Sequence, residues 1–184
     1  MKDPQRRPKP LDRTALYEYA LRSLSGRAQS IGELREKLRR RAAESDQVED
    51  VLAQLKENGY LDDRRFAEGF AAARLNSEKF GSSRVVRELR QRRVAPTLAE
   101  GTVKHVYEGV DESVLIEEWI RRKFRTAPRE GLFQEEKDLA SAYRRLVRAG
   151  FRTGEILRVL KRFAANPDLL DNFEPPEEEP GEDG

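Results

Sequence analysis

The stretch ENGYLDDRRFAEGF, residues Glu57 to Phe70, sets two adjacent acids behind a Gly-Tyr-Leu turn. The pair reads either as chemistry, two carboxylates for a metal or a proton, or as the start of a helix. Its neighbours favour the helix. Gly59 suits a helix end, where a positive φ costs little. Asp62 then stands at an N-cap, its carboxylate accepting from free N–H groups of the first turn. Asp63 lies inside that turn, toward the positive end of the helix dipole. Tyr60 and Leu61 are expected to pack across the junction.

The same pattern, an aliphatic residue, an Asp, three residues and an apolar residue, occurs at LDRTAL from Leu11 and at VDESVL from Val110. The starts lie 50 and 49 residues apart. Each site pairs a cap with a hydrophobic staple, in which the residue before the cap packs on one inside the helix. The expected pairs are Leu11–Leu16, Leu61–Phe66 and Val110–Leu115. A second pattern runs in register: Leu38, Ala43, Val48 and Leu52 are spaced 5, 5 and 4. Leu89, Val94, Ala99 and Val103 repeat it, as do Leu146, Phe151, Ile156 and Leu160. That spacing describes a helix, a tight turn with one buried residue, and another helix. Ser30 with Glu33 adds a capping box.

The expected fold is therefore all-α, three tandem three-helix repeats. The helices fall at about 12–25, 30–43 and 46–58, then 63–76, 82–93 and 96–108, then 112–126, 134–149 and 153–165. The repeats span 11–60, 61–109 and 110–165. A basic Pro-rich segment, 1–10, precedes them, and an acidic tail, 166–184, expected to be disordered, follows.

Charge is the dominant bulk feature. The chain of 184 residues has 38% charged residues and a net charge of +2. All eight acids between Ala165 and Gly184 lie in a stretch without Lys or Arg, which leaves +10 over residues 1–164. A basic body points to a polyanionic partner, and the acidic tail is a competitor for the same surface. The absence of cysteine excludes disulfides and thiolate metal sites. His105 stands alone, with no second His or Cys to complete a metal set. No G-x-x-x-x-G-K-[ST] loop occurs. Gly81-Ser82-Ser83 reads as a helix start rather than a nucleophile. No enzyme, cofactor or metal is expected. No apolar run approaches the roughly 20 residues that cross a bilayer, so a soluble cytoplasmic protein without membrane contact is expected.

The arginines on the middle helices carry the functional reading. In RVVRELRQRR, Val85, Val86 and Leu89 form the apolar set, and Arg84 and Arg87 point away from it. In LASAYRRLVRAGF the apolar set is Leu139, Ala142, Tyr143 and Leu146, so Arg144, Arg145 and Arg148 face outward. Arg87 and Arg144 hold the same repeat position, where the first repeat has Glu36. Arg121, Arg122 and Arg125 add a patch on the seventh helix. The candidate site for a filament or nucleic acid is Arg84, Arg87, Arg121, Arg122, Arg144 and Arg148, with Arg87 and Arg144 leading. The planar guanidinium forks match phosphate oxygens bidentately.

Three stretches in this order, SIGELREKL, VLAQLKENGYLDDRRFAEGF and RRLVRAGFRTGEILRVL, resemble the RecX regulatory proteins of bacteria. The similarity covers about Thr14 to Phe163, with Gly59 to Ala67 as its most specific piece. It implies an elongated, curved, solenoid-like molecule. It also implies binding to the filament of RecA recombinase on single-stranded DNA. Inhibition of recombination, ATP hydrolysis and filament extension would follow, in DNA repair and the SOS response. A monomer is expected. The alternative is a helix-turn-helix-like protein that binds free nucleic acid without sequence preference. The chain departs from the family pattern at Ala43, at Arg93 where a turn Gly is expected, and in its acidic tail.

Overall fold

The computed structural model of the chain describes residues 9–124, 133 and 135–164. The start of the basic Pro-rich segment, residues 125–132 with Arg125, and the acidic tail lie outside the described residues. So does the expectation that the tail is disordered. Among the described residues the elements are α1 (Arg13–Gly26), α2 (Ile31–Arg39), α3 (Asp46–Glu57), α4 (Asp63–Ala73), α5 (Ser82–Gln91), α6 (Pro96–Val106), α7 (Glu112–Lys123), α8 (Glu136–Arg148) and α9 (Thr153–Phe163). One π-helical turn, Arg74–Glu78, follows α4. The fold is all-α and built of three-helix repeats. No described helix is long and apolar enough to cross a membrane.

The described chain forms two compact units. One holds the residues up to Ala71 together with Glu88–Val103, the other Ala72–Arg87 together with the residues from Lys104 onward. In the first, Leu16, Ala20, Leu34, Leu38, Val48, Val51, Leu52, Leu55 and Leu61 make one core, with Leu11, Tyr17, Leu21 and Leu24 packed on its edge. Each buried Leu contributes about 1.5–3 kcal/mol. Caps start the helices. The Asp12 carboxylate accepts from the Ala15 N–H at 2.9 Å. The Ser30 hydroxyl and the Glu33 carboxylate close the capping box at α2.

The two acids behind the Gly-Tyr-Leu turn serve two helices. Asp62 caps its own, accepting from the N–H groups of Arg64 at 2.9 Å and Arg65 at 3.1 Å. Asp63 reaches another: its carboxylate accepts from the N–H of Ile31, the first residue of α2, at 2.7 Å. Burial pushes the Asp63 carboxyl above its ordinary value, against the pull of that N–H.

Two expectations are corrected here. Tyr60 does not pack across the junction; it is 57% exposed, while Leu61 is buried. Gly59 has φ +72°, and the Tyr60 N–H donates to the Leu55 carbonyl at 2.9 Å. That left-handed reversal turns Tyr60 outward and brings in only the residue after it. Ala43 is exposed as well. α2 stops at Arg39 because Leu11 pairs with the chain beyond it. The Leu11 N–H donates to the Arg41 carbonyl at 2.7 Å, and the Ala43 N–H to the Leu11 carbonyl at 2.9 Å.

The turn after the middle helix is used again in each later repeat. In the first unit the Ser30 hydroxyl donates to the Arg92 carbonyl. Arg93 takes φ 60°, the conformation for which a glycine was expected. In the second unit the Gly81 N–H donates to the Ala149 carbonyl at 2.8 Å, beside Gly150 at φ +90°. A Cβ on Gly81 would lie 2.1 Å from the Gly150 carbonyl oxygen, so only glycine allows this approach.

The second unit packs Leu115, Ile116, Trp119 and Ile120 of α7 against Leu139, Ala142, Tyr143 and Leu146 of α8 and Ile156, Val159, Leu160 and Phe163 of α9. Asp111 caps α7, accepting from the Ser113 N–H at 2.9 Å and from the Ser113 hydroxyl at 2.7 Å. Those bonds hold its carboxyl below the ordinary value. The π turn, ended by Lys79 at φ 56°, is held by α7. Arg122 donates to the carbonyls of Ser77 at 2.5 Å and Glu78 at 2.6 Å, and Lys79 pairs with Glu118 at 3.0 Å.

Candidate polyanion interface

All six candidate arginines fall in the second unit. α5 positions Arg84 and Arg87 because Val85 and Leu89 are buried and fix its inward face. Arg87, one residue beyond the Val85–Val86 pair, is exposed; Arg84 is half-buried. Leu139, Ala142, Tyr143 and Leu146 orient α8 in the same way, which leaves Arg144, Arg145 and Arg148 exposed.

The acids of the unit sort these cations. Glu117 accepts from Arg121 at 2.9 Å and from Arg162 at 2.5 Å. Glu112 accepts from Arg152 at 2.5 Å, and Glu155 pairs with Arg158. Glu78 lies 3.7 Å from Arg122. The α7 and α9 cations are therefore largely matched at home. On α5 and α8 two residues differ: among the described residues, the guanidinia of Arg87 and Arg144 have no carboxylate partner. Arg148 donates from Nε to the Arg144 carbonyl at 3.3 Å and has no carboxylate partner among the described residues.

The six arginines do not form one cluster. The backbone of Arg84 lies against Gly150, two residues beyond Arg148, so the start of α5 meets the end of α8. Arg122 is committed to the π turn, and Arg121 to the α7–α9 side through Glu117. Arg84 also stacks on the Phe80 ring, 3.7 Å from its centroid, and Arg145 lies over Phe124 at 5.8 Å. The Phe80–Arg84 stack has a local signal, an aromatic four residues before an arginine, which the reading of charge alone passed over.

Among the described residues no group of three or more His, Cys, Asp or Glu side chains is placed to hold a metal. His105 is exposed beside Glu108, at 3.6 Å. An open cleft of about 190 Å³ is lined by Gly81, Ser82, Tyr107, Glu112 and Arg152, among others, and its two charged walls are paired with each other.

Comparison with known proteins places this arrangement. Models of the first and second three-helix domains of RecX match residues 17–55 and 62–102. The regulatory protein RecX of Deinococcus radiodurans is 32% identical over 167 residues, covering 86% of this chain and 74% of its own. That of Syntrophotalea carbinolica is 30% identical over 112 residues, covering 61% and 73%. That of Trichlorobacter lovleyi is 28% identical over 146 residues, covering 79% and 94%. The crystal structure of RecX from Lactobacillus salivarius has the same fold, with a TM-score of 0.64 over 82% of this chain and 96% of that one, at 17% identity. With two of its repeats matched domain by domain and nearly a third of its residues shared with a relative across most of both chains, the protein belongs to the RecX family of regulatory proteins.

Proposed function

We propose that this chain regulates the RecA recombinase in the cytoplasm by binding the RecA filament on single-stranded DNA. Bound there, it restrains strand exchange, filament extension and ATP hydrolysis. The observation that supports this reading is that, among the described residues, Arg87 on α5 and Arg144 on α8 are exposed and have no carboxylate partner, while Arg121, Arg152 and Arg158 of the same unit are paired. Guanidinia without local carboxylates are open to phosphates, and a multi-repeat protein that grips a filament opposes the rearrangements that turnover needs. The repeats that carry these arginines divide at 11–60, 61–109 and 110–165.

The test is inhibition of RecA ATP hydrolysis on single-stranded DNA by the parent and by the variant with Arg87→Glu and Arg144→Glu. The variant is expected to lose inhibition by tenfold or more, on the order of two charge-assisted contacts. Its thermal unfolding should be unchanged within about 1 kcal/mol, because exposed charges contribute little to folding. A folded variant that inhibits like the parent removes these residues from the site. A parent that grips duplex DNA and leaves RecA untouched points to a plain nucleic-acid-binding protein instead.

A further inference from the structure

The chain carries an anionic segment of its own besides the partner that Arg87, Arg144 and Arg148 would meet. Residues 139–150 carry Arg144, Arg145 and Arg148 and no acid. The nearby glutamates are engaged elsewhere: Glu117 with Arg121 and Arg162, Glu112 with Arg152, Glu118 with Lys79. Beyond Ala164 the balance inverts. Residues 165–184 hold Asp168, Asp171, Glu174, Glu177, Glu178, Glu179, Glu182 and Asp183 and no Lys or Arg. The first four recur at every third residue. In the chain this stretch follows α9, and α9 lies in the unit that holds Arg87, Arg144 and Arg148. At about 3.3 Å per residue, 15 to 20 residues reach well beyond the roughly 20 Å length of α8.

We infer that the acidic stretch 168–183 docks on the row of Arg87, Arg144 and Arg148 and competes there with the polyanionic partner; the inference rests on the polyanion reading of that row. A carboxylate ladder and a phosphate ladder present the same bidentate oxygens to guanidinium forks. Tethering gives the stretch an effective concentration of about millimolar, so contacts too weak to hold a free peptide suffice in the intact chain. The competition fades as salt shortens the Debye length to about 10 Å and less. Association with the partner then depends on displacing the chain's own acids, so a longer anionic lattice outcompetes a short one.

The experiment uses full-length protein in which the eight acids are converted to amides (Asp168→Asn, Glu174→Gln and so on). A fluorescent peptide of residues 165–184 is titrated with it at low salt and followed by anisotropy. The peptide is expected to bind this variant at least about fivefold more tightly than it binds the parent, whose own stretch occupies the row. Adding Arg87→Glu and Arg144→Glu is expected to weaken binding tenfold or more. Arg87→Gln and Arg144→Gln, with a partial loss, replace the reversals if those fail to fold by thermal unfolding. Equal binding to parent and amide variant, indifference to the arginine changes, or no binding at all overturns the inference. A single-stranded oligonucleotide is then added to the bound peptide. Displacement of the peptide is expected; peptide held through the arginines that a bound oligonucleotide does not displace overturns the competition, whereas an oligonucleotide that fails to bind the amide variant at all counts against the polyanion reading.

Discussion

Asp62 and Asp63 are neighbours in the chain and belong to different helix ends. Asp62→Ala removes a local cap and is expected to cost about 0.5–2 kcal/mol. Asp63→Ala leaves the Ile31 N–H unpaired in a half-buried place and is expected to cost about 1–3 kcal/mol. Asp63→Asn keeps the acceptor without the buried charge and should stay within about 0.5 kcal/mol of the parent at pH 7. Urea midpoints of the three variants check this order. Glu33 supplies a pH signature. Burial pushes its carboxyl up, but the Arg27 hydrogen bond, the Ser30 N–H and the Arg92 charge together hold it below its ordinary value. A depressed carboxylate stabilises the fold fully above its unfolded value and loses that contribution as pH falls through its folded one. The parent is therefore expected to lose stability below about pH 4.5, and Glu33→Gln to lose less over that span. Asp63, shifted upward, has the opposite sign: protonation there adds stability. Asp62 was legible in the sequence because a cap's partners lie two and three residues away. The partner of Asp63 lies 32 residues away, on another helix, and no local pattern announces it.

At the level of elements, helix starts were readable and helix ends less so. Starts are set by side chains that bond within one turn, as at Asp12, Ser30 and Asp111. Ends depend on what arrives from elsewhere. Leu11 draws the chain out of α2 after Arg39, and Arg122 holds the carbonyls of a π turn where an unbroken α-helix to residue 76 was expected. The exposure of Arg87, Arg144 and Arg148 was legible because apolar spacing fixes the inward face of α5 and α8. The division of the arginines into paired and unpaired cations was not, since Glu117 serves arginines on two different helices. Two glycines separate packing from propensity. Gly81→Ala places a methyl against the Gly150 backbone and is expected to cost about 2 kcal/mol or more. Gly69→Ala, inside α4 with nothing within 4 Å of the added carbon, should stabilise by about 0.5–1 kcal/mol. Thermal unfolding of the pair should move in opposite directions.

For the molecule as a whole, the backbone carbonyls at the three matched turns carry a consequence for assembly. The Arg92 carbonyl takes the Ser30 hydroxyl, and the Ala149 carbonyl takes the Gly81 N–H. In the first repeat the matching carbonyl, that of Arg41, is taken by the Leu11 N–H, which comes from no other repeat. The position in the third repeat that aligns with Ser30 and Gly81 is Asp138, whose N–H is already given to the Glu135 carbonyl at 3.0 Å. The Arg41 carbonyl and the Asp138 N–H are thus each engaged within their own repeat. Among the described residues these two groups are not open to a second copy, and the chain is expected to sediment as a monomer. Leu11→Pro, which has no N–H to give, frees the Arg41 carbonyl. Self-association of that variant rising with concentration, against a parent that stays single, would show that the Leu11 N–H keeps the Arg41 carbonyl from a second copy.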